Sequence, residues 1–258
     1  TYDVPKDIFC IIHLAAMVDA SCCEKSPTAC FETNLRGTQN ILEIARKTNA
    51  KVIFLSTSHV YGNPQKNPIN EDHLTDPLSI YAASKIAGEI LCKSYSKSYN
   101  IDISVARLFS VYGPRSPDYL VISKIISQIL GSNIIKLGNL FPKRDFIYIN
   151  DVISALELIL NKTRGFEIYN IGTGKSYSIS DVCKLLTEIA STNIPIVSVR
   201  SFSRANEIKE IRADSSKIKR LGWKPITRIS DGLRHTFEWY KNNHYIQRKL
   251  ARNYVERI

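Results

Sequence analysis

A tyrosine and a lysine, Tyr81 and Lys85, are four positions apart in a segment with helical spacing. On an α-helix this separation places both side chains on one face. An ammonium group beside a phenol favours the ionised phenolate, which lowers the pKa of the phenol and makes it a base. The pair is therefore a candidate proton acceptor for a substrate hydroxyl.

The fold that would position this pair is predicted by alternating strands and helices. An apolar run at 8–13 predicts a strand buried on both faces of a parallel sheet. A helix at 27–48, a strand at 51–55, a helix at 79–99 that carries Tyr81 and Lys85, and a strand at 101–109 follow. This order predicts an α/β fold with right-handed crossovers and a doubly wound, Rossmann-like parallel sheet.

The pattern becomes less regular after residue 113. Helices are predicted at 119–130, 151–160, 180–190 and 230–242, and short strands at 134–137, 146–149 and 167–171. We therefore expect a partial Rossmann domain at 1–113 and a smaller α/β substrate lobe at 114–258, with some segments returning to the Rossmann core. Ligands of such sheets bind in the crevice at the strand ends.

The composition is that of a globular protein with a full core, 258 residues of which 44% are hydrophobic. No apolar run reaches the ~20 residues needed to cross a bilayer, and no signal-peptide layout is present, so we expect a cytoplasmic protein without a membrane partner. A net charge of +11 suits an anionic ligand. No nucleic-acid-binding module is recognisable, so we expect no nucleic acid as partner.

The cysteines and histidines do not have the sequence spacing that is typical of metal ligands. The six cysteines include no CxxC pair, and the five histidines are scattered. We expect reduced, mostly buried thiols and no metal.

Five motifs in order resemble the extended short-chain dehydrogenase/reductase family, and more narrowly its nucleotide-sugar epimerase and dehydratase branch. The resemblance runs from about Ile8 to Trp223, and five ordered motifs are far more specific than any one of them. The motifs are His13-Leu14-Ala15-Ala16, Ser56-Thr57-Ser58-His59-Val60-Tyr61-Gly62, Tyr81-Ala82-Ala83-Ser84-Lys85, Arg107-Leu108-Phe109-Ser110-Val111-Tyr112-Gly113-Pro114-Arg115 and Arg144-Asp145-Phe146-Ile147-Tyr148-Ile149.

This resemblance implies roles for three catalytic residues. Tyr81 would take the proton of a sugar hydroxyl while the hydride on the same carbon passes to the nicotinamide of NAD, which leaves a keto sugar. Lys85 would help to lower the pKa of Tyr81 and would bind the ribose hydroxyls. Thr57 would hold the reacting oxygen within reach, the alternative being a structural hydroxyl at a strand end.

The resemblance also implies two sets of binding residues. NAD would be surrounded by Leu14, Ala15, Ala16, Met17, Val18, Asn34, Ser56 and Phe109, together with Tyr81 and Lys85. A nucleotide-diphosphate sugar would be held by Thr57, Ser58, His59, Tyr81, Ser110, Arg144 and Arg204. Both arginines would grip the diphosphate by paired hydrogen bonds, and the alternative for either is a surface salt bridge.

Within this branch, the residue types at the two positions after Thr57 differ between enzymes that catalyse different reactions. Dehydratases and decarboxylases usually have a glutamate two places after this threonine, often with an aspartate between them, whereas this chain has Ser58 and His59. We therefore expect an epimerase, a UDP-sugar 4-epimerase with a transient 4-keto sugar. A 4,6-dehydratase or related reductase stays open because His59 can titrate near neutral pH. Ser110 replaces an asparagine that contacts substrate in many members, which leaves the sugar undefined.

The glycine-rich dinucleotide fingerprint of the family does not precede the first strand, and residues 1–7 contain no glycine. We expect an N-terminally incomplete sheet with an exposed edge, hence a fragment of a longer enzyme. The alternative is a non-catalytic binding remnant of the fold that uses its basic surface for an acidic partner. The resemblance further implies a homodimer through a four-helix bundle, formed by the helix at 34–48 and the one that carries Tyr81.

Overall fold

The computed structural model describes residues 7–202 and 207–243. Its strands are β1 (Cys10–His13), β2 (Lys51–Thr57), β3 (Ile103–Leu108), β4 (Ser110–Tyr112), β5 (Ile135–Leu137), β6 (Lys143–Arg144), β7 (Phe146–Tyr148), β8 (Phe166–Ile171), β9 (Tyr177–Ser178), β10 (Ile196–Ser198) and β11 (Glu210–Ile211). Its α-helices are α1 (Ala20–Lys25), α2 (Pro27–Phe31), α3 (Gly37–Thr48), α4 (Ile80–Tyr99), α5 (Val121–Gly131), α6 (Ile149–Lys162), α7 (Ile179–Ile189), α8 (Ser216–Arg220) and α9 (Ile229–Asn242). A π-helical turn, Glu32–Arg36, joins α2 to α3, and a 3-10 helix, Ser58–Tyr61, follows β2.

The central sheet is parallel, with the strand order β1, β2, β3, β8. Side chains alternate across it as the strand period requires. Val52 and Phe54 pack with residues of α3 and α4 on one face, whereas Ile53 and Leu55 pack with residues of α6 and α8 on the other. Helices on both faces confirm the doubly wound α/β class, and β8 is a segment that returns to this core from the C-terminal half.

Strand β1 departs from its predicted surroundings. Within the described residues it pairs only with β2, so it forms an edge of the sheet, which agrees with the predicted exposed edge. Ile12 is 41% exposed and neighbouring Phe9 66% exposed, so the prediction of burial on both faces is wrong. An apolar run indicates that a segment favours a buried strand, but it does not say how many strands flank it.

A second core lies in the C-terminal half. Buried side chains of α5, α7 and α9 pack with those of β5 and β7. The four helices predicted after residue 113 are confirmed, each with ends within two residues of the predicted ones. Very short strands complete this region, where β4 pairs with β7, β5 with β10, and β6 with β9 and β11. The division into units at residue 113 stays a prediction.

Helix α4 is fixed locally by its ends and by one glycine. The Ser79 side chain accepts a hydrogen bond from the Ala82 backbone N–H at 3.2 Å, which caps the first turn. Asn100 ends the helix in the left-handed conformation. A Cβ at Gly88 would lie 2.7 Å from the Phe54 ring, so this glycine lets the helix lie close to β2.

The expectation that all cysteines are reduced thiols is wrong for two of them. Cys23 and Cys30 form a disulfide, with Cα atoms 5.1 Å apart, where the sequence predicts reduced thiols. The turn between α1 and α2 brings these two positions within the usual Cα range, and sequence spacing alone does not reveal this. Cys92 and Cys183 are buried free thiols, and Cys10 and Cys22 are partly exposed.

Neither a metal cluster nor a membrane span emerges from residues 7–202 and 207–243. In these ranges no group of three or more His, Cys, Asp or Glu side chains is placed to hold a metal ion. No helix in the same ranges is both long enough and apolar enough to cross a membrane.

Candidate active site

A cavity of about 530 Å³ opens at the carboxyl ends of β2 and β3. This is the edge at which sheets of this class bind ligands. Its lining brings together predicted residues from five separate segments of the chain. They are Val18, Ser56, Thr57, Ser58, His59, Tyr81, Phe109, Ser110 and Arg144.

Tyr81 reaches this cavity from the first turn of α4 and meets the end of β2 there. Its hydroxyl is hydrogen-bonded to the Thr57 side chain. Thr57 caps the following 3-10 helix, because its Oγ1 accepts the His59 backbone N–H at 3.2 Å. The His59 ring stands edge-on to that of Tyr81, with centroids 6.5 Å apart.

The pKa of Tyr81 is raised in the protein alone, whereas the resemblance implies a lowered pKa in the intact site. Burial raises the pKa of Tyr81 above its ordinary value, and the hydrogen bond from Thr57 opposes this rise. The predicted lowering by Lys85 is not among these causes. In the protein alone Tyr81 is therefore a neutral phenol at neutral pH.

Lys85 lies on the same face of α4 as Tyr81, one turn further along, but beneath the cavity wall. Its side chain is buried, and its Nζ lies 4.5 Å from the centroid of the Phe54 ring. Burial lowers the pKa of this ammonium to about 8, against the opposing charges of Cys92 and Glu89. Burial and the charge of Lys85 together lower the pKa of the nearby His13 to about 4, so the imidazole is neutral.

Lys85→Met tests the cost of burying this ammonium. Between pH 8 and 10.5 the unfolded chain holds a proton that folded Lys85 has released, so the wild-type free energy of unfolding rises across this window. At pH 7 we expect the variant to be more stable than wild type by about 3 kcal/mol. The difference should vanish by pH 10.5. Urea denaturation at both pH values measures it, with exposed Lys93→Met as control; a difference that does not depend on pH would contradict the assignment.

The loop after β1 contains the other predicted cofactor residues. Leu14 and Ala15 are exposed, and Ala16 and Met17 partly so. Asn34 does not line the cavity; its side chain accepts the Met17 N–H at 2.7 Å and donates to the Met17 carbonyl at 3.0 Å. The same amide donates to the Ser84 hydroxyl at 2.8 Å, next to Lys85. Asn34 therefore braces this loop against α4.

Charged side chains also line the cavity, namely Asp19, Lys124, Arg144 and Glu207. Arg144, on β6, donates to the Ile208 carbonyl at 2.8 Å and lines the cavity. Arg204 lies outside the described residues. Glu207 also lines the cavity, and among the described residues its buried Oε2 has no hydrogen-bond partner. Glu207 is not among the residues predicted from the sequence, where the available signal was its position three residues after Arg204.

Comparisons with known proteins show the family of this chain. The family model described as GDP-mannose 4,6 dehydratase matches residues 5–236. A putative UDP-glucose 4-epimerase of Methanocaldococcus jannaschii is 35% identical, over 92% of this chain and 79% of the relative. The UDP-glucuronate 4-epimerase of Thermodesulfobacterium geofontis is 36% identical, over 92% of this chain and 73% of the relative.

A solved structure has the same fold. It is a mutant of the UDP-glucuronic acid 4-epimerase of Bacillus cereus in complex with UDP-4-deoxy-4-fluoro-glucuronic acid and NAD, and it superposes with a TM-score of 0.86. The identity is 32%, with coverage of 92% of this chain and 76% of the other. The chain therefore belongs to the GDP-mannose 4,6-dehydratase family, the NAD-dependent nucleotide-sugar epimerases and dehydratases of the extended short-chain dehydrogenase/reductases.

Proposed function

We propose that this protein is an NAD-dependent nucleotide-sugar 4-epimerase that acts on a UDP-sugar through a transient 4-keto sugar. The observation that carries the proposal is the Tyr81–Thr57 hydrogen bond at the wall of the cavity, with Lys85 one turn further along the same helix face. The similar proteins are named as 4-epimerases of UDP-glucose and UDP-glucuronate, which supports this substrate class.

Tyr81 and Thr57 would handle the proton of the sugar 4-hydroxyl. Thr57 orients that oxygen, and Tyr81 accepts its proton as the carbon becomes a ketone. When hydride returns to the opposite face of the 4-carbon, the proton on Tyr81 would return to the ketone oxygen and restore the hydroxyl, so the same pair would serve both epimers. Because burial favours the neutral phenol, Tyr81 would need the positive charge of the oxidised nicotinamide in addition to that of Lys85 to act as a base.

The residues around the loop at 14–18 fit the nicotinamide end of the dinucleotide. Ser56, Val18 and Phe109 present small polar and apolar surfaces to the cavity beside Tyr81. Lys85 would bind the ribose hydroxyls, and the braced backbone at Met17 would border the ring. When bound, NAD supplies the hydride acceptor that oxidation of the 4-carbon requires.

The other end of the cavity fits a nucleotide diphosphate. Arg144 would bind the diphosphate, together with Arg204. The Glu207 carboxylate oxygen, which has no partner in the part of the chain that the structure describes, would accept hydrogen bonds from hydroxyl groups of the nucleotide. Ser110 would contact the sugar between these ends.

A 4,6-dehydratase is the second candidate, and the contact of His59 with Tyr81 is the observation in its favour. Dehydration also needs an acid and a base at the neighbouring carbons. Ser58 carries no titratable group at its position, which leaves His59 as the one such group in the 3-10 helix at an ordinary working pH. The epimerase requires neither group and is the simpler account.

One assay separates these functions. The full-length protein would be incubated with NAD and, in turn, UDP-glucose, UDP-N-acetylglucosamine, UDP-glucuronate and their galacto epimers. Interconversion of one pair supports the epimerase, and a 4-keto-6-deoxy product supports the dehydratase. Binding of NAD without turnover of any of these sugars would contradict both. Salt-sensitive binding of an acidic macromolecule that survives Tyr81→Phe and needs no NAD would instead favour a binding remnant.

We also propose that the protein is a cytoplasmic homodimer, formed by α3 and α4 pairing with their copies as a four-helix bundle. Exposed apolar side chains on α4 support this, Ile90 being 61% and Tyr99 50% exposed. Ile90→Lys should convert the dimer into a monomer, because a lysine would be buried against its own copy. Light scattering after size exclusion measures this, with Ile226→Lys, at an 84% exposed site off this helix, as control. A dimeric Ile90→Lys protein would contradict the proposed interface.

A further inference from the structure

A buried ion pair joins α4 to the central sheet. Glu89 on α4 and Arg107 on β3 are each less than 5% exposed. Arg107 Nη2 donates to Glu89 Oε2 at 2.7 Å, and Arg107 Nε donates to Oε1 at 3.1 Å. This is the two-pronged geometry that a guanidinium forms with a carboxylate, and a lysine does not reproduce it.

The pair is connected to three further elements. The Ser56 hydroxyl, at the end of β2, donates to Glu89 Oε1. Arg107 Nη1 donates to the Tyr61 hydroxyl at 2.9 Å, at the end of the 3-10 helix. Tyr61 in turn donates to Asn170 Oδ1 on β8 at 2.7 Å. One network therefore ties α4 to the carboxyl ends of β2 and β3, to β8 and to the 3-10 helix.

This network ends next to both partners of the hydrogen bond in the active site. Ser56 precedes Thr57 in β2, and Glu89 follows Tyr81 on α4 by two turns, with Lys85 between them on the same face. A change in the Glu89 contact would therefore move Tyr81 relative to Thr57. The charge of Glu89 also opposes the fall in the pKa of Lys85 that burial causes.

Stability alone does not explain such a pair. Removing two charges from water costs several kcal/mol per ion, and replacing a buried ion pair with apolar residues of similar volume is often neutral or stabilising. What an apolar pair lacks is direction, because only the bidentate bond fixes the distance and rotation between helix and strand.

We propose that Glu89 and Arg107 are positioning residues, which lock α4 against the ends of β2 and β3 so that Tyr81 meets Thr57 in the geometry needed for proton transfer. This inference rests on the proposed function for its kinetic readout. It does not depend on that function for its structural readout, which is the Tyr81–Thr57 contact itself.

The test is the double variant Glu89→Leu with Arg107→Met, which replaces the pair with apolar side chains. We expect it to melt close to wild type and its kcat for epimerisation to fall about 100-fold, because a misplacement of ~1 Å has such an effect. KM for the nucleotide sugar should change less than about threefold, since Arg144, the proposed diphosphate contact, is untouched. A crystal structure of the double variant should show a longer Tyr81–Thr57 distance.

The Arg107→Lys variant should have a kcat about tenfold below wild type, because lysine keeps the positive charge but cannot form the bidentate bond to Glu89.

Glu167→Gln is the matched control, because it breaks a partly exposed ion pair with Lys217 and should leave kcat unchanged. A double variant with wild-type kcat, or with α4 and the Tyr81–Thr57 contact in place, would overturn the proposal. If the double variant does not fold, Arg107→Lys decides, and a wild-type kcat for it would overturn the proposal equally. If wild type itself converts no nucleotide sugar, the proposed function fails, and the crystal structure alone decides on the positioning role.

Discussion

Replacing Tyr81 with phenylalanine should reduce kcat for epimerisation by about 1,000-fold, within the range that a positioned acid or base contributes. The substitution removes the phenolic oxygen, which is the atom bonded to Thr57, and leaves the ring against His59. KM for the nucleotide sugar should change little, because Arg144 and the distant end of the cavity are untouched. Steady-state kinetics with the identified sugar pair measures both quantities.

The control is Tyr99→Phe, which makes the same change on the same helix at a half-exposed site and should retain wild-type kcat. Thermal melting should place both variants near wild type, because one hydrogen bond contributes only about 1 kcal/mol. A Tyr81→Phe variant with kcat within about tenfold of wild type would remove Tyr81 from the chemistry.

Arg107→Ala should reduce the free energy of unfolding by about 3 to 5 kcal/mol, which is a large part of the total for a domain. The truncation leaves the Glu89 carboxylate in the core with the Ser56 hydroxyl as its remaining hydrogen-bond donor among the described contacts. It also removes the donor to Tyr61 and opens a cavity beside β3. Urea denaturation at neutral pH measures the change.

The matched control is Arg164→Ala. The Arg164 side chain is 66% exposed in its ion pair with Asp102, so its loss should change the free energy of unfolding by less than about 0.5 kcal/mol. An Arg107→Ala protein less than about 1 kcal/mol below wild type would mean that water or other groups satisfy Glu89 after truncation.

Local signals explain why some elements were predictable. Ser79 before an amphipathic run and Asn100 after it mark both ends of α4, which agrees with the predicted 79–99 within one residue. Strand β2 extends beyond the predicted 51–55 to Thr57, because the polar Ser56 and Thr57 still pair with β3. Strands of two or three residues, such as β6 and β9, depend on partners distant in sequence, and no local pattern reveals them.

The candidate site also has parts that a local sequence signal predicts and parts that no local signal predicts. Thr57, Ser58, His59 and Tyr81 come from two sequence motifs and line one cavity, whereas their roles stay a prediction. The bond between Glu89 and Arg107 joins a helix to a strand, and neither residue has a local signal that names the other. The disulfide between Cys23 and Cys30 likewise depends on a turn that spacing does not specify.

The most direct test of epimerisation by oxidation and reduction at the 4-carbon uses a UDP-sugar deuterated at C4. The full-length protein would equilibrate it with its epimer in ordinary water, and mass spectrometry and NMR would locate the label. Chemistry at the 4-hydroxyl predicts that deuterium stays on C4 of both epimers and that no solvent hydrogen enters the carbon skeleton. Deuterium lost to water, or moved to C6, would contradict it.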